Sequence, residues 1–215
     1  MTKKIVIFSI LFFLLALPVL AQSTVSTTDN NLPKPGLTPD HPLYFLDEWI
    51  EQIDLALTFD VEKKPQKLMR FADEKLAEVK EMSESKKDKV LKRKEKLIDR
   101  ALKLQEKYQK KAEEQADKAE KMGKKVEALK EKITENFLRH QEVLEKVLEK
   151  VPVEARASIE KNINKSKVRY EARLEKLDSA KKKTLEKKFE KRTEALKKVK
   201  EARQKKMQSQ KKPKK

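Results

Sequence analysis

An all-α fold of antiparallel helical hairpins, with one long, partly exposed, coiled-coil-like helix and no sheet, is what this sequence predicts. Three observations carry that expectation. Charged residues make up 42% of the 215 residues and hydrophobic residues only 37%, so the core must be thin. Glycine occurs only at Gly36 and Gly123, which leaves almost no positions for the turns that sheets and catalytic loops use. Apolar residues recur at three- and four-residue spacing along most of the chain, the period of a helix with one buried face. There is no cysteine, so disulfides, thiol chemistry and Cys-ligated zinc are excluded.

Residues 1–21 have the pattern of a signal peptide: Lys3 and Lys4, an apolar run from Ile5 to Leu20, and Val19-Leu20-Ala21 offering cleavage after Ala21. The alternative is an uncleaved anchor, although the run is shorter than the ~20 residues of a spanning helix. With no Cys at the cleavage point, a lipid-modified N-terminus is excluded. Cleavage implies a secreted or periplasmic, extracytoplasmic protein, associated with the cell envelope. Residues 22–36 (QSTVSTTDNNLPKPG) read as a flexible linker.

Residues 37–83 read as an N-terminal helical hairpin. Asp40 is a candidate cap with Pro42 in the first turn. Leu43, Leu46, Trp49, Ile50, Ile53 and Leu57 follow at helical spacing and are expected to form the core face. Thr58-Phe59-Asp60 breaks the helix, Asp60 caps the next, and Pro65 is tolerable near its start. Leu68, Phe71, Ala72, Leu76 and Val79 supply the facing stripe, and the short connection makes the two helices antiparallel. Tyr44, Phe45, Trp49, Phe59 and Phe71 concentrate aromatic side chains in this stretch, which suits a core better than a ligand box.

Residues 84–180 read as a long-helix and hairpin region. A helix from about Asp88 to Met122 carries Val90, Leu91, Leu97, Ile98, Ala101, Leu104, Tyr108, Ala112, Ala116 and Ala119. It stops at Gly123, and its alanine half is expected to protrude. The next stripe is Val126, Leu129, Ile133, Phe137, Leu144, Val147, Leu148 and Val151. Pro152 ends that helix and opens another, with Ala155, Ile159, Ile163, Tyr170, Leu174 and Leu177. Residues 181–215 form a basic helical tail with Leu185, Phe189, Leu196 and Val199 on one side, disordered from about residue 204.

Two segments carry a family resemblance. Pro39-Asp40-His41-Pro42-Leu43-Tyr44-Phe45-Leu46, Leu57-Thr58-Phe59-Asp60 and Phe71-Ala72-Asp73-Glu74-Lys75-Leu76-Ala77-Glu78 resemble a family of uncharacterised secreted bacterial and archaeal proteins, known only as a domain of unknown function. In that family Pro often follows the junction Asp and Arg often precedes Leu-Ala-Glu. This chain has Val61 and Lys75 there. The match is good over about 37–80 and looser over 138–166, where His140, Val151-Pro152-Val153-Glu154-Ala155 and Ile159 carry it. The resemblance implies a helical secreted module and brings no activity.

No constellation for catalysis, a cofactor or a metal is legible. His41 and His140 lack a partner ligand at i+3 or i+4, so His41 reads as a turn residue and His140 as a surface or boundary histidine. The carboxylates alternate with Lys on exposed faces, without the desolvated pocket a general acid or base needs. The net charge of +18 lies mostly in residues 181–215, which carry +13, while residues 22–180 carry only +3. Candidate contacts for a polyanion are therefore Lys187, Lys188, Lys191, Arg192, Lys197, Lys198, Lys200, Arg203, Lys205 and Lys206. Lysine acts as a point charge, and few aromatics interleave, so diffuse attraction is expected rather than base stacking. Candidate partners are anionic lipid, wall polymer or extracellular nucleic acid, with self-association through the long helices of 88–200 and no small-molecule substrate. The expectation is an exported non-catalytic envelope protein, structural or adaptor-like; the alternative is a periplasmic chaperone or stress sensor that binds unfolded chains.

Overall fold

Residues 32–210 are described by the computed structural model, and the stretch read as a signal peptide, the stretch read as a linker as far as residue 31, and residues 211–215 lie outside them. The described residues are helical throughout apart from turns and a short N-terminal segment. The helices are α1 (Tyr44–Ala56), α2 (Lys63–Glu84), α3 (Asp88–Leu91), α4 (Lys94–Lys121), α5 (Glu127–Leu148), α6 (Val153–Leu174) and α7 (Ser179–Gln210).

The centre is an up-down-up-down four-helix bundle. Side-chain pairs set the directions. Lys94 Nζ reaches the Ser83 carbonyl at 3.0 Å and the Phe71 ring packs at a tilt against Tyr108 with centroids 5.6 Å apart, so α2 and α4 run antiparallel. Ser158 Oγ donates to Asp99 at 3.2 Å and Arg173 to Asp117 at 2.6 Å, so α4 and α6 run parallel. Asn136 donates to Asp73 at 2.8 Å and Lys150 to Glu84 at 2.6 Å, which makes α2 parallel to α5. Around the bundle the neighbours are α2–α4, α4–α6, α6–α5 and α5–α2. Short connections join the antiparallel neighbours α2–α4 and α5–α6, and the α4–α5 turn crosses the diagonal of the bundle.

The expected stripes of α2, α5 and α6 are the buried ones. Asp60 caps the approach to α2 by accepting the Glu62 and Lys63 N–H groups at 2.8 and 3.1 Å. Pro152 stands immediately before α6 with extended backbone. Gly123 closes α4 with φ +77°, a conformation that only glycine adopts without strain.

Several expectations are corrected. The helix of 88–122 is two pieces, because Lys92 and Arg93 form a turn and buried Lys94 folds back to donate to the Ser83 and Ser85 carbonyls. Leu91, expected in the stripe, is exposed as a result. The alanine half of α4 does not protrude. Ala112, Ala116 and Ala119 are fully covered, Ala112 in the cluster of Leu55, Leu68 and Phe71 and the other two in the cluster of Leu129, Ile133 and Tyr170. No side chain caps α1. Asp40 accepts the Thr38 hydroxyl instead, and His41 Nδ1 accepts the Leu43 N–H at 3.2 Å, the turn role expected of it. Leu32, inside the stretch read as linker, is 3% exposed and belongs to the core cluster of Met82, Val90, Leu97, Val147 and Val151, at the bundle end where α2 and α5 finish. The α7 backbone stays helical to Gln210, beyond residue 204, consistent with its Lys, Gln, Ala and Glu content.

Candidate interaction surface

The largest departure from expectation is α1. Leu43, Leu46, Trp49, Ile50, Ile53 and Leu57, read as the core face, are all exposed, Trp49 by 68% and Ile50 by 65%. Helix geometry puts these six on one side, and Tyr44, Glu51 and Leu55, the buried residues of α1, on the other. The helix therefore sits with its apolar face outward, and Phe45 and Phe59 extend the exposed surface.

The reason is Lys75. It lies within the α2 stripe between Phe71 and Val79, its side chain is fully buried, and a buried ammonium group needs counter-charges. The acidic face of α1 supplies them. Lys75 Nζ lies 3.0 Å from Asp47, 2.9 Å from Glu51 and 2.8 Å from Glu78. The Tyr44 hydroxyl donates to Glu78 at 2.8 Å, and Lys75 lies 4.9 Å from the Tyr44 ring centre. The Tyr108 hydroxyl of α4 donates to Glu51, and Gln52 donates to Tyr108 at 3.1 Å. Further out, Lys67 pairs with Asp54 at 2.6 Å and Arg100 with Glu48 at 2.5 Å. Docked through its polar side, α1 has no second element among the described residues to cover its apolar side.

This network is closed rather than a pocket. Lys75, Glu78, Tyr44, Glu51 and Tyr108 are each buried. Burial would lower Lys75, but the Glu78 and Glu51 carboxylates outweigh it and hold the ammonium more firmly protonated than usual. One ammonium cannot neutralise buried Glu51 and Glu78 together with half-buried Asp47. Burial pushes the Glu78 carboxyl up to about 7, against the pull of Lys75. Burial likewise raises Glu74 to about 7 despite Arg70. Acidic groups from two helices do meet here, but in the interior, where they hold α1 to α2 and α4.

A second buried network centres on His140, expected at the surface and in fact fully buried. Its Nδ1 lies 2.7 Å from Gln105 Nε2 and 2.8 Å from Gln109 Nε2, so it accepts, and Nε2–H donates to Asp73 at 2.6 Å. Burial lowers the His140 pKa, against Asp73. Asp73, though buried, is held below the usual carboxylate range by His140 and Arg139. The histidine thus links α2, α4 and α5. The sequence signal for both networks was a polar residue inside an apolar stripe: Lys75 beside Phe71 and Leu76, and His140 between Phe137 and Leu144. Among the described residues no group of His and carboxylates could hold a metal ion, and no helix is long and apolar enough to cross a membrane.

The candidate polyanion contacts lie on α7. Lys188 pairs with Glu135 of α5 at 2.8 Å and half-buried Arg192 with Glu142 at 3.7 Å. Lys198 pairs within the helix with Glu194 at 3.1 Å. Lys187, Lys191 and Lys197 are exposed. The side chains of Lys200, Arg203, Lys205 and Lys206, and of Leu196 and Val199, lie outside the described part.

No curated protein and no solved structure matches the chain. A family model covers residues 36–154, from the segment before α1 through the α5–α6 turn, and so includes both buried networks and the exposed face. The chain belongs to that family, described as a domain of unknown function (DUF5667).

Proposed function

We propose that the protein is an exported, non-catalytic helical protein of the cell envelope, structural or adaptor-like, whose bundle holds out a Lys-rich helix to contact anionic surfaces. The observation that carries this reading is how α7 leaves the bundle. Its first half is pinned: Leu185 is buried, Phe189 stacks on Tyr170 at 5.3 Å, and Lys181, Lys188 and Arg192 meet Glu131, Glu135 and Glu142. Those pairs make α7 parallel to α5, so its remaining length departs at the bundle end where Leu32 brings the chain in. Three cations of the pinned half meet α5 carboxylates, and residues 195–215 keep most of the charge of the tail. Each lysine near an anionic membrane contributes at most about 1 kcal/mol, and the contributions are screened by salt.

The test is co-sedimentation with anionic lipid vesicles across a salt series, comparing the chain with a form lacking residues 195–215. That deletion spares Leu185 and Phe189. Salt-sensitive binding by the full chain and none by the shortened one is expected; equal binding would refute the reading. Wall polymer and DNA in the same titration identify the anion. The exposed α1 face favours a second reading, a chaperone that holds unfolded chains. It requires suppression of client aggregation that survives loss of residues 195–215.

A further inference from the structure

The exposed face of α1 has the spacing of a helix–helix seam. Leu43, Leu46, Ile50, Ile53 and Leu57 follow one another at +3, +4, +3 and +4, the a and d positions of two heptads. Nothing in the described chain packs against that seam, yet the helix behind it is fixed by the Lys75 network and presents it ready-ordered, which reduces the entropy cost of association. We propose that α1 is a self-association helix: two copies of this chain pack their α1 seams against each other.

Four features point to a second copy. The first is area. The eight large apolar residues from Leu43 to Phe59 are 41–84% exposed. At about 150–250 Å² for a large side chain, that is on the order of 1,000 Å² of apolar surface. A monomer's largest patch is typically about 300–600 Å², and a stable interface needs about 800 Å² from each partner. The second is shape, since the seam is a ridge with knob spacing and its complement is another such ridge. The third is the rim. Its charges are already paired with the body, Asp54 with Lys67 at 2.6 Å and Glu48 with Arg100 at 2.5 Å, giving the apolar centre and mixed polar edge of a protein interface. A helix that lies on anionic lipid carries a Lys- and Arg-rich polar face, whereas that of α1 is Asp47, Glu48, Glu51 and Asp54. The fourth is placement. α1 rests on α2 and α4, whereas α7 rests on α5 and α6 across the bundle, so pairing through α1 keeps the two basic tails apart.

Trp49 is the chain's sole tryptophan and flanks the seam, so its fluorescence reports on the interface directly. The experiment is sedimentation velocity and Trp emission over a concentration series of residues 22–215, which contain all three core clusters. The companion variant is Ile50→Glu, at a position 65% exposed in the single chain. The expected result is a dimer whose Trp emission shifts to the blue as concentration rises, and an Ile50→Glu chain of unchanged helicity that stays monomeric. Because the chain has no cysteine, Ile50→Cys should form disulfide-linked dimers under mild oxidation, and Val168→Cys on exposed α6 should not. A chain monomeric up to about 100 µM, or an Ile50→Glu dimer, overturns the proposal. So does a Trp shift that appears only with vesicles or an unfolded client. The two readings fail separately: loss of residues 195–215 should leave the dimer intact, and Ile50→Glu should leave salt-sensitive vesicle binding in place.

Discussion

An ammonium group taken out of water without counter-charges is penalised by several kcal/mol, and Lys75 sits in the middle of the α2 stripe. Its three carboxylates and the Tyr44 ring answer that penalty, and in doing so they decide which way α1 faces. Lys75→Met should therefore destabilise the chain by about 3–5 kcal/mol in urea unfolding, because Glu51 and Glu78 are left buried without a cation. Lys75→Arg should recover much of that loss, since the resemblance places Arg at the same position. The surrounding carboxyls also set a pH dependence. Glu78 has its folded pKa raised to about 7, so between about 4.5 and 7 the folded chain retains a proton that the unfolded chain has released. Its contribution is full below that window and falls as pH rises through it. His140, with a lowered pKa, acts in the opposite sense, losing stability as pH falls below about 6.5. Glu78→Gln isolates the first effect: the variant's melting temperature should gain on that of the parent as pH rises from 4.5 to 7.

The same stripe logic reads differently from one helix to the next. In α2, α5 and α6 a single apolar face meets the bundle, and spacing identifies most of its residues, although Met82, Leu138 and Val143 are buried outside the expected stripes. In α4 the stripe shrinks to Ala112, Ala116 and Ala119, and what looked like an end with little to bury is a fully covered helix contact. Ala116→Leu should overpack that contact and cost about 1–3 kcal/mol, measured by thermal unfolding; an exposed alanine would tolerate the change. In α1 the two faces compete. The apolar face offers more surface, but the acidic face brings Asp47 and Glu51 to join Glu78 around Lys75 and brings Glu51 to Tyr108. A period of three and four shows that a face exists. It carries no information on whether that face meets this chain or another.

At the scale of the whole molecule, the bundle separates two surfaces of different chemistry. The α2–α4 side carries the apolar ridge of α1, and the α5–α6 side carries α7. Leu32 and the departing part of α7 share one end of the bundle. A dimer through α1 would present two such tails, and linked weak contacts raise overall binding without any new contact. Helix content, hairpin order, the Pro152 and Gly123 boundaries and the location of the charge excess were determined by the sequence alone, because propensity, capping and periodicity act within a few residues of each other. The burial of Lys75 and His140, the covering of the alanine half of α4 and the outward turn of α1 were decided only in the tertiary structure. Each depends on a partner distant in the chain: Glu51 for Lys75, Asp73 and Gln105 for His140, and Tyr170 and Leu174 in the cluster that covers Ala116. Desolvation and ion pairing are settled by such partners, and residue spacing does not encode them.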